Sequence, residues 1–432
     1  MNSSFLAFWF SQTISVLGSG MTKFAVGVLL YQKTGQVSAL ALSILFGYLP
    51  SLLIGPFAGV VVDRFNRKRI LMATALAQAA IGLGLVLTFL QPGLHPGLVY
   101  ALLAVQSAVG TFQPLAELAS MPLMVSKDAL TRANSLLSMN EDLSQVFAPS
   151  LGGFLVASVG IQAVLLFDVL SYFVAFGALL FIHVPSHLRE GEAPFLHLNA
   201  ARYLSDFGQS LAYLRAQPKM LGLVGVMALL NFTSTITLPL VTPLILERTG
   251  NNAALLGLVT ACSGVGAIVG GMLVLGFLKR LLSIRQVLAV DCFEALLAQL
   301  GFGLATSPGV WGVCRFLPGV AGPFASSSYQ VFWQTAVPPE LQGRVFAVRR
   351  MLAVALTPLA LLLSGWLSTL IAGRLVHQGL SVTAARVESF QLLFVVFGLL
   401  SATVCLWFAL TPTFRQFGSG WSPLPSHATG DG

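Results

Sequence analysis

Four ionisable side chains stand inside long apolar runs of this 432-residue chain: Lys23, Glu117, Asp168 and Arg315. An ionisable group at the centre of a bilayer costs on the order of 3 kcal/mol on insertion scales, so each asks for a partner or a wet cavity. A carboxyl so placed can take up and release a proton as solvation is withdrawn and restored. Two roles are open to Glu117, proton carrier or salt-bridge partner of Arg64 or Arg67, and they are compatible if protonation breaks the bridge. Lys23 lies eight residues from Tyr31, about 12 Å along a helix. It either faces a solute route or snorkels. Arg315 is shallower, and the same two roles are open. For Asp168 a structural partnership is expected. Asp291 and Glu294 are expected beside the headgroups at the start of a span, and Glu141 and Asp142 at a helix N-terminus, which favours acids.

Uncharged polar residues add a second kind of chemistry. Asn231, Thr233, Thr235 and Thr237 are followed by Pro239 and Pro243. A polar patch ending in prolines predicts a broken helix, and such breaks are tolerated where they line a cavity. Gln106 and Tyr329 join Asn231 and Thr235 as candidate cavity residues. Phe8, Trp9, Phe112, Tyr329 and Phe332 can stack on a flat apolar cargo, although packing is the commoner use of each. The four cysteines (Cys262, Cys292, Cys314 and Cys405) stand singly, with no metal or disulfide spacing. No phosphate-binding G-x-x-x-x-G-K-[ST] loop is present, and no catalytic constellation is recognisable. Neither an enzyme, nor an ATP-driven pump, nor a cofactor or metal is expected.

Composition says what must position these groups. Hydrophobic residues make up 56% and charged residues 9% of the chain, against roughly 25% charged in an ordinary globular domain. So few charges cannot cover a water-exposed surface. Runs of about 20 apolar residues read as helices that cross a bilayer, because lipid leaves no backbone group unpaired. Twelve spans are predicted, near residues 5–31, 39–62, 70–90, 98–125, 143–159, 162–183, 220–246, 253–278, 285–305, 310–333, 347–371 and 390–410. The strict alternation of a membrane β-barrel is absent. The first apolar run exceeds a signal h-region and lacks a basic lead, so a span rather than a cleaved leader is expected.

The net charge of +8 does not indicate nucleic acid. Most basic residues fall in alternate short loops, at 64–69, 202–219, 279–285 and 344–350, whereas the other side has Lys33, Arg248, Arg374 and Arg386. By the positive-inside rule both termini are cytoplasmic, in a multi-pass protein of the cell's inner membrane. The expected partners are lipid, a small-molecule substrate and protons, and a monomer is expected.

The spans divide into two sets of six: an N-terminal bundle (1–183), a cytoplasmic linker (184–219), a C-terminal bundle (220–414) and a disordered cytoplasmic tail (415–432). Within the linker Tyr203, Phe207, Leu211 and Leu214 share one helical face. That suits a helix lying on the membrane surface, or one packed under the bundle. A weak repeat relates the halves, with Gln106-x-x-x-Gly110-x-x-x-Pro114 matched by Arg315-x-x-x-Gly319-x-x-x-Pro323, and Gly59 before Arg67 and Lys68 matched by Gly271 before Lys279 and Arg280. Repeats of this kind place a substrate route between two halves.

The segment GVVVDRFNRKR, from Gly59 through Asp63, Arg64, Asn66, Arg67 and Lys68 to Arg69, resembles the loop 2–3 signature of the major facilitator superfamily, G-x-x-x-D-[RK]-x-G-[RK]-[RK]. Asn66 stands where glycine is usual, and asparagine tolerates a left-handed turn. The resemblance implies a gate: Gly59 lets helices touch, Asp63 caps or pairs, and the basic residues hold the gate closed. In span 5, SQVFAPSLGG is similar to the superfamily's antiporter signature G-x-x-x-G-P-x-x-G-G, with Ser144 and Ala148 replacing two glycines ahead of Pro149, Gly152 and Gly153. GSGMTKFAVGVLLYQKTG, LTRANSL, FDVLSYFV and VPPELQGRVFAVRRM resemble the macrolide-efflux-like, drug:proton antiporter branch. That likeness implies an all-α membrane protein with the major facilitator fold, twelve transmembrane helices in two pseudo-symmetric six-helix bundles. It also implies secondary active, proton-coupled efflux of a small amphipathic or drug-like molecule by alternating access. A siderophore or lysolipid is the alternative cargo. Many such antiporters carry arginine where this chain has Gln106, so Arg315 at the repeat position becomes the alternative.

Overall fold

The computed structural model describes residues 3–93, 95–125, 129–182, 200–277 and 283–411, and among these every regular element is helical. The first half contributes α1 (Ser3–Thr34), α2 (Val37–Arg64), α3 (Arg67–Leu90), α4 (Pro96–Gly110), α5 (Phe112–Met124), α6 (Leu130–Ser158) and α7 (Ile161–Phe181). After α8 (Ala200–Ala216) come α9 (Pro218–Thr237), α10 (Val241–Arg248), α11 (Ala253–Phe277), α12 (Ile284–Glu294) and the short α13 (Phe302–Leu304). The chain ends in α14 (Pro308–Ala336), α15 (Pro339–Val354), α16 (Thr357–His377) and α17 (Val382–Leu410).

Ten helical segments of the described chain are long and apolar enough to cross a membrane. The proline-bearing α6 and α14 bring the spans to twelve, because α4–α5, α9–α10, α12–α13 and α15–α16 each make one. Large apolar side chains such as Phe10, Leu53, Leu87, Phe154, Leu170, Phe181 and Trp407 lie exposed along these rods. Lipid is the solvent that such a surface requires. The expected all-α membrane fold is the one observed.

Two compact units emerge from the packing. The first comprises Met1–Phe195, Pro239–Gly264 and Leu361–Val387, and the second Leu196–Leu238, Val265–Ala360 and Glu388–Gly432. In the first, α7 lies against α1 and α3, while α1 also lies along α6. In the second, α12 packs on α14, and α15 rests on α8 and α9.

Several local expectations change. The predicted fourth span breaks at Thr111 between α4 and α5, whereas its repeat partner α14 runs unbroken through Pro318 and Pro323. The break foreseen in the seventh span is a 3-10 turn at Leu238–Leu240, beside Pro239. The fifth span begins thirteen residues earlier than apolarity suggested, at Leu130, because LTRANSLLSMNED is polar yet helix-compatible. Asn66 needs no left-handed turn. Its φ is −60°, and its side chain caps α3 by accepting from the Arg69 amide at 3.2 Å. Of the two placements open to α8, packing under the bundle fits Leu214, which is fully buried with Met220, Leu223 and Trp333. The side chains of Tyr203 and Phe207 lie outside the described residues, as does the tail from 412 onward.

Buried polar clusters as the candidate functional site

α1 and α7 hold the first cluster. Asp168 is 1% exposed, near the middle of an otherwise apolar helix. Its Oδ1 accepts from the Ser19 hydroxyl at 3.3 Å, and Ser19 also lies 2.6 Å from the Tyr172 hydroxyl. Oδ2 is buried with no hydrogen-bond partner. Lys23, one turn beyond Ser19 on α1, is the cation whose charge reaches Asp168; its own side chain is exposed. Gln106, buried on α4, touches Tyr172, and its backbone carbonyl accepts from Gln78 of α3 at 3.1 Å. α1 thus meets the carboxyl directly, while α4 reaches it through Tyr172 and α3 through Gln106. Sequence spacing named Asp168, Lys23 and Gln106 separately; the structure brings them together.

Glu117 stands on α5, 7% exposed, accepting from Gln113 at 3.0 Å, and Gln113 also donates to Gln12 of α1 at 2.8 Å. Arg67 donates to the carbonyl of Ala119 at 2.7 Å rather than to the carboxylate of Glu117. Arginine at the first turn of α3 is therefore spent on a backbone carbonyl within α5. Lys68 binds the C-terminal end of α7, donating to the carbonyl of Ile182 at 2.9 Å, where cations complement a helix C-terminus. A Cβ built on Gly59 would meet nothing within 4 Å, so helix contact does not require that glycine in this conformation. The side chains of Asp63 and Arg64 lie outside the described residues.

The antiporter-like segment of α6 uses two faces. Ser144, Ala148 and Gly152, four residues apart, face α1: Ser144 donates to the Val16 carbonyl at 3.1 Å, and a Cβ on Gly152 would stand 3.4 Å from the Met21 backbone. Pro149 and Gly153 face α11 instead. A Cβ on Gly153 would come within 2.5 Å of the Ala253 carbonyl oxygen, and one on Gly257 would strike the Pro149 carbonyl. Small residues here permit backbone-to-backbone contact that no side-chain rotation could relieve. At the same end of this unit, Glu247 accepts from Tyr31 at 2.6 Å and pairs with Arg386 at 3.4 Å.

The second unit has its own cluster, and the sequence misplaced it. Asp291 and Glu294, expected at the headgroups, lie one turn apart on α12 and turn toward α14. Tyr329 donates to Asp291 at 2.6 Å, while Oε1 of Glu294 is buried without a partner. A π-helical segment, Ala295–Gly301, follows directly, and such segments frequently mark functional sites. Gln299 of this segment, Ser401 of α17 and Thr233 of α9 form a buried relay, with 2.6 Å between the two hydroxyls. Arg315 lies over an aromatic ring. Its guanidinium sits 4.8 Å from the Phe302 ring centroid, and its Nε is buried without a partner. Asn231 turns back to the carbonyl of Met227 at 2.9 Å, and Thr235 is half-buried. Among the described residues no cluster of His, Cys, Asp or Glu suits a metal ion.

Residues 8–360 match the sequence profile of the Major Facilitator Superfamily. The chain belongs to that superfamily. It is therefore a transporter and not an enzyme. It is 26% identical over 371 residues to a macrolide efflux protein A of Streptococcus pyogenes, covering 83% of this chain and 88% of that one. It is 25% identical over 352 residues to the enterobactin exporter EntS of Salmonella choleraesuis, covering 79% and 80%. A crystal structure of a bacterial homologue of the human lysosomal transporter Spinster, described as inward-facing and unoccupied, superposes with a TM-score of 0.72 at 15% identity, covering 98% of each chain. The macrolide-efflux-like likeness read from the motifs is borne out, and the superfamily fold with it.

Proposed function

We propose that this chain is a proton-coupled exporter of a small amphipathic or drug-like molecule, working as a monomer by alternating access in the cytoplasmic membrane. The observation that carries the coupling is the set of carboxyls sunk into the spans of both units. Asp168, Asp291 and Glu294 make no ion pair closer than 4 Å with a basic side chain among the described residues. A permanently charged carboxylate in such surroundings is costly, whereas one that gains and loses a proton has a use for the site. Export rather than uptake is favoured by the relatives, one named for macrolide efflux and one as an enterobactin exporter. The positive-inside rule orients the end bearing Arg67 and Lys68 toward the cytoplasm, with both termini on that side. The loop from Gly59 to Lys68 serves as the gate element of that end.

The test is extrusion of radiolabelled erythromycin from cells expressing the chain, with and without an uncoupler. The expected outcome is lower accumulation that rises to the vector-only level when the uncoupler is added. Extrusion that persists in a fully uncoupled cell rejects proton coupling. The enterobactin exporter among the relatives favours a second reading, export of an endogenous solute without drug export. Unchanged sensitivity to a panel of toxic compounds, together with loss of a secreted metabolite on deletion, selects that reading.

A further inference from the structure

We infer that Asp168 is the proton-carrying carboxyl of the N-terminal bundle and that Lys23 is the partner that replaces the proton; the inference rests on the proton-coupled reading above and assigns its site.

Asp168 is enclosed by α1 and α7 at 1% exposure, and its two oxygens are unequal. Oδ1 accepts from the Ser19 hydroxyl at 3.3 Å, while Oδ2 makes no well-formed hydrogen bond, with the Thr22 hydroxyl of α1 close by. A carboxylate offers about four acceptor positions, and a buried one with a single long bond is poorly satisfied. A neutral acid in the same cavity removes the charge and leaves one oxygen as a donor. The neutral acid is the form that this enclosure favours. Ser19 stands near the middle of the Phe5–Thr34 span, far from water along the helix in either direction.

The groups around Asp168 are few. α1 brings Ser19, Thr22 and, one turn beyond Ser19, Lys23. α7 itself brings Tyr172 and Ser171, the latter turned to the Asp168 carbonyl at 2.6 Å. α4 reaches the cluster through Gln106 against Tyr172, and α3 through Gln78. On α3, which packs along α7, the basic residues lie in the first turn, and there Arg67 and Lys68 bind carbonyls of other helices. Among the described residues Lys23, one turn from the Ser19 that bonds the carboxyl, is the cation whose charge reaches it.

The step balances simply. Protonated Asp168 beside Lys23 ammonium carries one positive charge. When the carboxyl gives its proton to water, the carboxylate and the ammonium sum to zero and pair with each other. Lys23 is exposed in this structure, so pairing with the carboxylate and releasing it moves the lysine between the carboxyl and the accessible surface of the span.

The experiment is infrared titration of the full-length protein reconstituted in liposomes, read at the carboxylic-acid C=O stretch. At neutral pH the wild type is expected to show one protonated carboxyl more than Asp168→Asn, and Asp168→Glu to retain it. Lys23→Gln is expected to move the disappearance of that band to higher pH, because the carboxylate loses its cation. Equal bands in wild type and Asp168→Asn overturn the assignment of the proton. A band whose titration ignores Lys23→Gln overturns the role of the lysine. In inverted vesicles Asp168→Asn is expected to lose gradient-driven erythromycin accumulation while keeping equilibrium exchange, and accumulation at the wild-type level overturns the coupling role. Wild-type vesicles that carry no erythromycin count against the macrolide reading alone, since the infrared arm needs no cargo and still decides on Asp168.

Discussion

The acids of α12 show how much a single side chain can be asked to bear. Tyr329 donates to Asp291 at 2.6 Å, a hydroxyl-to-carboxylate bond buried between α12 and α14. Bonds to charged groups contribute about 1.5–3 kcal/mol, so Tyr329→Phe is expected to lower stability by that order and to reduce the Tm of the detergent-solubilised protein. Glu294 has the opposite expectation. Its buried Oε1 has no partner, so Glu294→Gln is expected to leave the Tm unchanged or raise it, while a transport defect at unchanged Tm marks the carboxyl as functional. The sequence did not bring these two acids forward. They fall eight and eleven residues beyond Ser283, which caps that span, and by position alone they read as boundary residues. Asp168, Lys23 and Gln106 were each visible as polar residues in apolar runs, but their meeting depends on how α1, α4 and α7 pack, which spacing along one chain does not encode.

At the scale of helices, the apolar runs told the number and order of spans, since lipid imposes one solution on every long greasy segment. Breaks were less legible. Pro239 announced the turn at Leu238–Leu240, yet Pro318 and Pro323 sit inside an unbroken α14, and nothing in ALLAQLG announces a π-helical stretch. Glycine was legible as small but silent about its neighbour. Gly257 meets the Pro149 carbonyl, so Gly257→Leu is expected to prevent α6 and α11 from closing together and to abolish transport. Cysteine-labelling of Thr34→Cys at that end checks it, with labelling expected to rise. Gly59 meets nothing. Gly59→Ala is therefore expected to stabilise α2 by about 0.5–1 kcal/mol through helix propensity. If transport nonetheless falls, the contact that glycine serves belongs to another conformation.

For the whole molecule, composition and loop charge spoke early for a two-bundle membrane protein, and residues 8–360 match the superfamily that such a plan implies. Cargo was never legible, because cavity chemistry depends on which faces the helices turn toward one another. The bonds of Glu247 to Tyr31 and Arg386 join chain segments more than 130 residues apart within one unit. A half-buried pair with a neutral hydroxyl contributes on the order of 1 kcal/mol, so Glu247→Gln is expected to shift a two-state equilibrium roughly fivefold toward the state lacking these bonds. Labelling of Thr34→Cys in wild-type and Glu247→Gln backgrounds measures that shift, and equal rates reject it.

Lys68 gives the loop after α2 a reach that its position hides. By grasping the carbonyl of Ile182 it rivets that loop to the last turn of α7. Asp168 stands fourteen residues back along the same rod, about 21 Å away. A helix is stiff along its axis, so a tug on the rivet arrives at the carboxyl as a slide or a twist rather than fading on the way. Cutting the rivet with Lys68→Met would leave both ends intact and disconnect the handle from the latch.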